Sequence, residues 1–319
     1  MTDYKADLNQ RFWEYQRAKF PGGSGYFDRQ QADDRRPPVL LPREAWRNVI
    51  ERPDAGQQEI ERLRALIPET DRHKWFRSFS SSQALAQSIL GNLATYGFLD
   101  CVADLCTDEG KPIFGNSDLS VDDFAMEYKV DYLGERRRTS LDGYIPGQYR
   151  VAIECKFMEG EFGSCSRPRM GPKDPSFAAE HCSGDFSRQL GRKDRCALTG
   201  IGVLYWSFVP QLFEWGGESD LVPCPLNRNY QVVRNILAAG VTPEGTVSMH
   251  AGHALLIYDD RNPAFQEGGV ALAAYAETRA ALREPAMLRK CSWQRIVNRV
   301  RQKGVMPWLV DELALKYGM

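Results

Sequence analysis

The 319-residue chain has almost no net charge, no long apolar run, no internal repeat and no CxxC pair. Each absence excludes something. A formal charge of −1 removes any global attraction to nucleic acid, so phosphate binding would have to come from local clusters of cations. No stretch approaches the ~20 apolar residues needed to span a bilayer. The charged opening MTDYKADLNQRFWEYQ has no apolar signal-peptide core, so a cytoplasmic protein is expected. The eight cysteines lack zinc-ribbon spacing, and in a reducing compartment they are expected to be free, metal-bound or catalytic. Cys165, Cys182, Cys196 and Cys224 are the set that could hold a metal cluster; the alternative is that each is a small buried hydrophobe. His73 and His253 are isolated and read as structural.

Basic residues do cluster locally. Arg136, Arg137 and Arg138 form one run, and Arg188, Arg192, Lys193 and Arg195 a second. A third spans Arg289, Lys290, Arg295, Arg299, Arg301 and Lys303. Each is either a phosphate-binding patch or a solvated face.

Turn residues and apolar periodicity divide the chain. Residues 1–70 are polar, broken by PGG, RRPP and ERPD, and carry short helices near 44–50 and 57–66. Residues 80–96 form a helix, with Leu85, Ile89 and Leu93 on one stripe and Gly97 at its end. Ser80 and Gln83 have capping-box spacing. Strands are expected at 124–133, 140–145 and 150–158, joined by short turns that include Pro146-Gly147. The apolar run 197–209 is a candidate further strand. A helix at 229–239, a strand at 254–259 and helices at 263–282, 292–302 and 306–317 complete the reading. The fold class is α/β: a small mixed sheet with flanking helices in the order αβββαβ. The expected organisation is an extension at 1–70, a core at 71–265 with an insertion at about 159–227, and C-terminal helices at 266–319.

The chemistry concentrates in Ile-Glu-Cys-Lys-Phe at 153–157. Glu154 and Lys156 lie two apart in a strand and project from one face, while Ile153, Cys155 and Phe157 point into apolar packing. Across the Pro-Gly hairpin, Asp142 comes beside Glu154. Two close carboxylates repel unless a cation lies between them, and Mg²⁺ prefers a few carboxylates with water and phosphate. Lys156 would orient or deprotonate a water, or stabilise a pentacovalent phosphorus. These are the parts of phosphodiester hydrolysis. Glu127 is either a further metal ligand or part of a solvated face.

Asp142, eleven residues, then Glu154-x-Lys156, in this order of elements, resembles the PD-(D/E)XK nuclease superfamily. SSQAL at 81–85, YQVVRN at 230–235 and IYDDRNP at 257–263 are similar to a bacterial restriction-endonuclease-like family, over roughly residues 73–265. Leu141 stands where the superfamily pattern has proline. The resemblance implies a Mg²⁺-dependent deoxyribonuclease of restriction or defence type, with Mn²⁺ as a substitute, DNA as partner and no membrane association; the alternatives are a catalytically silent DNA-binding protein on the same fold and an exonuclease or repair nuclease of the superfamily. It implies that Gln83 faces the site, a role that competes with capping. Gln231 would contact substrate or orient the site, with Gln189 as its competitor. Arg234 shares a helix face with Gln231 and, with Arg188 and Arg138, is a candidate substrate contact. Tyr205 and Trp206 either stack bases or belong to the core. Cutting both strands with a single-site enzyme would favour a homodimer.

Overall fold

Five strands with short turns or helical crossovers between them make one mixed sheet, in the order β1-β2-β3-β4-β5. They are β1 (Ala125–Lys129), β2 (Ser140–Ile145), β3 (Arg150–Cys155), β4 (Gly252–Tyr258) and β5 (Leu288–Ser292). The first three pair antiparallel, while β4 and β5 continue the sheet in parallel with β3. The computed structural model describes residues 3–28, 35–115, 123–136, 140–185, 196–216 and 223–319.

Strand alternation sends neighbouring residues to two separate cores. Val151, Ile153, Cys155, Leu255 and Ile257 join one core; Ala152, Ala254 and Leu256 join the other. The first is covered by α1 (Tyr4–Lys19) and by α3, a continuous run of Ser82–Ala86, the π-turn Gln87–Gly91 and Asn92–Thr95. Also packed there are α7 (Trp293–Gln302) and α8 (Pro307–Tyr317); Trp293, Ile296, Val297 and Val300 form the buried stripe of α7 at helical spacing. The second core is covered by α5 (Tyr230–Gly240), which crosses over between β3 and β4, and by α4 (Tyr205–Leu212). The remaining longer helices are α2 (Gln57–Ala65) and α6 (Val270–Ala280).

Several elements differ from the sequence reading, which places no helix at α1 (Tyr4–Lys19) and a strand over 124–133 where β1 covers only Ala125–Lys129. The run at 197–209 is helical, not a strand: Ala197–Gly200 is followed by α4, where Tyr205, Phe208, Val209 and Leu212 are buried. Their spacing is a helix period, which a continuous apolar run conceals. Strand β5 was not anticipated, because Arg289 and Lys290 interrupt its apolar pattern and only pairing with β4 makes it extended. The helix expected over 263–282 is a 3₁₀ turn at Pro263–Phe265 followed by α6.

The chain termini are packed onto the end of β3. The Phe12 ring of α1 meets Phe157 at 6.2 Å and Tyr317 at 6.0 Å in edge-to-face contacts. The Phe157 carbonyl accepts from Tyr4 Oη at 3.1 Å and Asn262 Nδ2 at 2.8 Å, and the Lys156 carbonyl accepts from Trp293 Nε1 at 3.0 Å. Residues 156–157 are therefore clamped from four elements.

His253 is structural, as expected. It is fully buried on β4, with Nε2 2.8 Å from the Ile113 carbonyl and Nδ1 3.0 Å from Tyr149 Oη. A carbonyl only accepts, so Nε2 carries the proton and Nδ1 accepts from the tyrosine. Burial, aided by the nearby Arg289 cation, lowers its pKa to about 3. The folded value lies below the unfolded one, so the neutral imidazole's contribution is complete above about pH 6.5 and is lost as pH falls below that. Relative to a His253→Gln variant, the wild type should lose about 2 kcal/mol of extra stability between pH 6.5 and 5, measured by urea unfolding. Parallel pH profiles for the two proteins would show that this imidazole is not the group responsible.

Candidate active site

Strand register places three carboxylates in one row. Met126 pairs with Gly143 and Tyr128 with Leu141, which sets Glu127 opposite Asp142; Gly143 pairs with Ile153, which sets Asp142 opposite Glu154. The ladder opens at this row. Glu127 has φ +49°, a region that a non-glycine residue occupies only under external constraint, and it contributes no backbone pair there. On the other side, the Cys155 N–H bonds Asp142 Oδ2 at 2.6 Å.

Each acid is compensated differently. Glu127 is buried and accepts from the Gln83 amide and the Ser140 hydroxyl. Burial raises its pKa, and these two bonds oppose the shift. Glu154 accepts Lys156 Nζ at 2.7 Å on Oε1 and Asn235 Nδ2 at 3.0 Å on Oε2, with Arg234 Nη2 3.6 Å away. Burial opposes its ionisation, yet Lys156 and Arg234 together hold its pKa below the usual value. Asp142 has the poorest compensation. Burial first, then the charges of Glu154 and Glu127, push its pKa well above the carboxylate range.

Lys156 lies one residue beyond β3, where its N–H still bonds the Ile257 carbonyl at 2.7 Å. Its ammonium also donates to Gln231 Oε1 at 2.9 Å. Burial works against the charge, but Glu154 and Asp142 outweigh it and raise the pKa above that of a free lysine. The group is therefore an ammonium at neutral pH.

The sequence-predicted residues Asp142, Glu154, Lys156, Glu127, Gln231 and Arg234 all line one cleft of about 1130 Å³, and Gln83 lines it too. Gln83 is not a capping residue. The cap of α3 is Ser81, whose Oγ accepts the Ala84 N–H at 3.2 Å, while the Gln83 amide is turned onto Glu127, the Asp71 carbonyl and the His73 N–H. Glu127 is likewise no solvated face. Arg234 is buried, its guanidinium engaged with Asn235 Oδ1 at 3.0–3.1 Å. Arg138, Arg188 and Gln189 lie outside the described residues, as does the whole of the second basic run. In the third run Lys290 and Arg295 pair with Asp108, Arg299 pairs with Asp104, and buried Arg289 bonds the Pro112 carbonyl. These cations serve the fold. Tyr205 is fully buried, and Trp206 packs against the same core.

Three site residues escaped the sequence reading: Ser140 (whose hydroxyl bonds Glu127), Asn235 and Glu159. Asn235 sits at the end of the YQVVRN segment, and a helix position four residues after Gln231 was the available signal. Glu159 accepts the Phe157 N–H at 2.7 Å and Ser82 Oγ at 2.6 Å, tying the end of β3 to the start of α3. None of the eight cysteines, all of them among the described residues, is in a disulfide. Among the described residues, no group of three or more His, Cys, Asp or Glu side chains is gathered to hold an ion unaided. That applies to Cys165, Cys182, Cys196 and Cys224 as well as to the carboxylates, which are turned onto protein donors.

A family model described as REase-ARP, Restriction Endonuclease associating with ARP, matches residues 7–318. The chain belongs to this family. No curated protein and no solved structure matches it. The REase-ARP match extends beyond the 73–265 stretch of the sequence resemblance and takes in α1 and α8, the helices packed on Phe157. The family's description supports a nuclease or defence role with DNA as substrate. No helix among the described residues is long and apolar enough to cross a membrane.

Gly163 makes room for Gln231 in this candidate site. It has φ +64°, and a Cβ there would fall 2.8 Å from Gln231 Oε1, the atom that accepts from Lys156. Gly163→Ala should lose about 1–2 kcal/mol in urea unfolding from the left-handed backbone alone. It should also displace the amide, so that adding Gln231→Ala lowers cleavage no further. Additive losses in the double variant would show that Gly163 does not act through Gln231.

Proposed function

We propose that this chain is a Mg²⁺-dependent DNA endonuclease of the PD-(D/E)XK type, with Mn²⁺ able to replace Mg²⁺. The observation that carries the reading is the row Glu127–Asp142–Glu154 with Lys156 at its end, in the cleft where the sheet ladder opens. The donors fit a hard cation. Asp142 is a buried carboxylate whose ionisation is opposed by burial and by two neighbouring acids, and a divalent ion held by Asp142 and Glu154 would reverse that penalty. Two carboxylates with water and phosphate oxygens suit Mg²⁺, which seldom requires an all-protein cage. Glu127 is the third candidate ligand. When bound, such an ion supplies positive charge to the scissile phosphate and makes water more acidic.

The protein's own groups supply the rest. Lys156, held by Glu154 and Gln231, presents an ammonium to orient water or to meet the negative charge that develops on phosphorus. Its raised pKa favours these roles over deprotonation of the attacking water. Asn235 and Arg234 keep Glu154 ionised and fixed in direction. Gln83 fixes Glu127, and Gln231 fixes the lysine.

Asp142→Asn gives the cleanest test, because it keeps an acceptor for the Cys155 N–H and removes a charge that burial already opposes. In metal-free buffer the variant should unfold no earlier than the wild type. DNA cleavage in Mg²⁺ should fall by more than about 100-fold, and Mg²⁺ should raise the thermal midpoint of the wild type alone. Undiminished metal-dependent cleavage by Asp142→Asn would overturn the reading.

A further inference from the structure

The mouth of the cleft carries a feature that phosphate chemistry does not use. Four large apolar side chains are exposed among the described residues: Trp75, Leu204, Val270 and Leu315. Two of them, Trp75 at 42% and Val270 at 66% exposure, line the cleft that holds the acids, as does half-buried Met158. Single exposed apolar residues are ordinary on a protein surface, and placement is what distinguishes these. An indole is a large apolar area to leave in water beside carboxylates and an ammonium.

The backbone that carries Trp75 is built, not loose. The Gln83 amide that holds Glu127 also bonds the Asp71 carbonyl at 3.2 Å and the His73 N–H at 2.9 Å. The Trp75 N–H bonds His73 Nδ1 at 3.3 Å, and its carbonyl accepts the Ser78 N–H at 2.8 Å. The next residue, Phe76, is buried, and its carbonyl accepts Asn48 Nδ2. The ring itself is left out of the core, with Lys74 Nζ 5.6 Å from its centre. An exposed aromatic ring on an anchored backbone, beside a cation and at the entrance to a phosphodiester site, is the combination that binds unpaired nucleotides: the ring stacks on a base and the cation meets the backbone.

We propose that Trp75 is a base-stacking residue that receives an unpaired nucleobase next to the scissile phosphate. The occupant is a single-stranded or locally opened segment of the DNA, because a base paired within a duplex offers its ring faces only to its stacked neighbours. The inference rests on the nuclease reading above and adds a contact that the metal and lysine chemistry does not require.

The test uses the full-length chain with Ca²⁺ in place of Mg²⁺, to hold DNA uncut, and oligonucleotides carrying 2-aminopurine at successive positions. Stacking on Trp75 should quench the probe at one position in the wild type and in Trp75→Phe, and not in Trp75→Ala. Affinity of Trp75→Ala for single-stranded DNA should fall about 5- to 100-fold. In Mg²⁺, the KM of the alanine variant should rise more than its kcat falls. Quenching and affinity unchanged in Trp75→Ala would overturn the proposal, and would assign the exposed ring to some other partner. The two readings fail separately: a wild type that never cuts DNA sinks the nuclease reading, whereas normal cutting by Trp75→Ala sinks only the stacking role.

Discussion

Three carboxylates forced into one cross-strand row are the constraint on which the rest of the site depends. Directly opposite residues in an antiparallel sheet have Cβ atoms about 5 Å apart. At that separation, with an effective dielectric near 20, each neighbouring pair of charges repels by roughly 3 kcal/mol. The surrounding side chains can be understood as responses to that repulsion. Gln83 and Ser140 answer Glu127; Lys156, Asn235 and Arg234 answer Glu154. Asp142, in the middle, receives a backbone N–H and little else by way of compensation. The row keeps its least compensated charge at its centre.

This compensation depends on elements remote in the sequence. Asn235 and Arg234 come from α5, Gln83 from α3, and the carbonyls of Lys156 and Phe157 are held by Trp293, Tyr4 and Asn262. The helices at the two ends of the chain thus act on the site by fixing the strand end that carries Lys156. That agrees with a family match that spans residues 7–318 and not the central sheet alone.

How much of this could be read in the sequence follows from the range of each interaction. Asp142, Glu154 and Lys156 were legible because a Pro-Gly turn and strand alternation fix their geometry within fifteen residues. The helical crossover between β3 and β4 was legible from the apolar stripe of α5 and its closing glycine. Asn235 was not, because its partner lies 81 positions away. Gln83 could be assigned to a cap or to the site; tertiary contact with Glu127 decided it, leaving the cap to Ser81. Strand β5 and helix α4 were missed or misread for different reasons: pairing with β4 imposed the first, and a continuous apolar run hid the period of the second. The C-terminal cations were visible as a cluster, but only the fold shows them spent on Asp104 and Asp108.

The Gln83 amide joins two otherwise separate jobs. It bonds the strained Glu127 on one side and the Asp71–His73 backbone on the other, so the acid row and the cleft mouth share one rigid connector. An amide suits this place better than a carboxylate. Its nitrogen donates to an acid and a carbonyl while its oxygen accepts a backbone N–H, and a glutamate there would add a fourth negative charge to the row. A lysine would neutralise Glu127 but could not accept from His73. Glutamine at position 83 is thus the side chain that meets all three demands without altering the charge balance at Asp142.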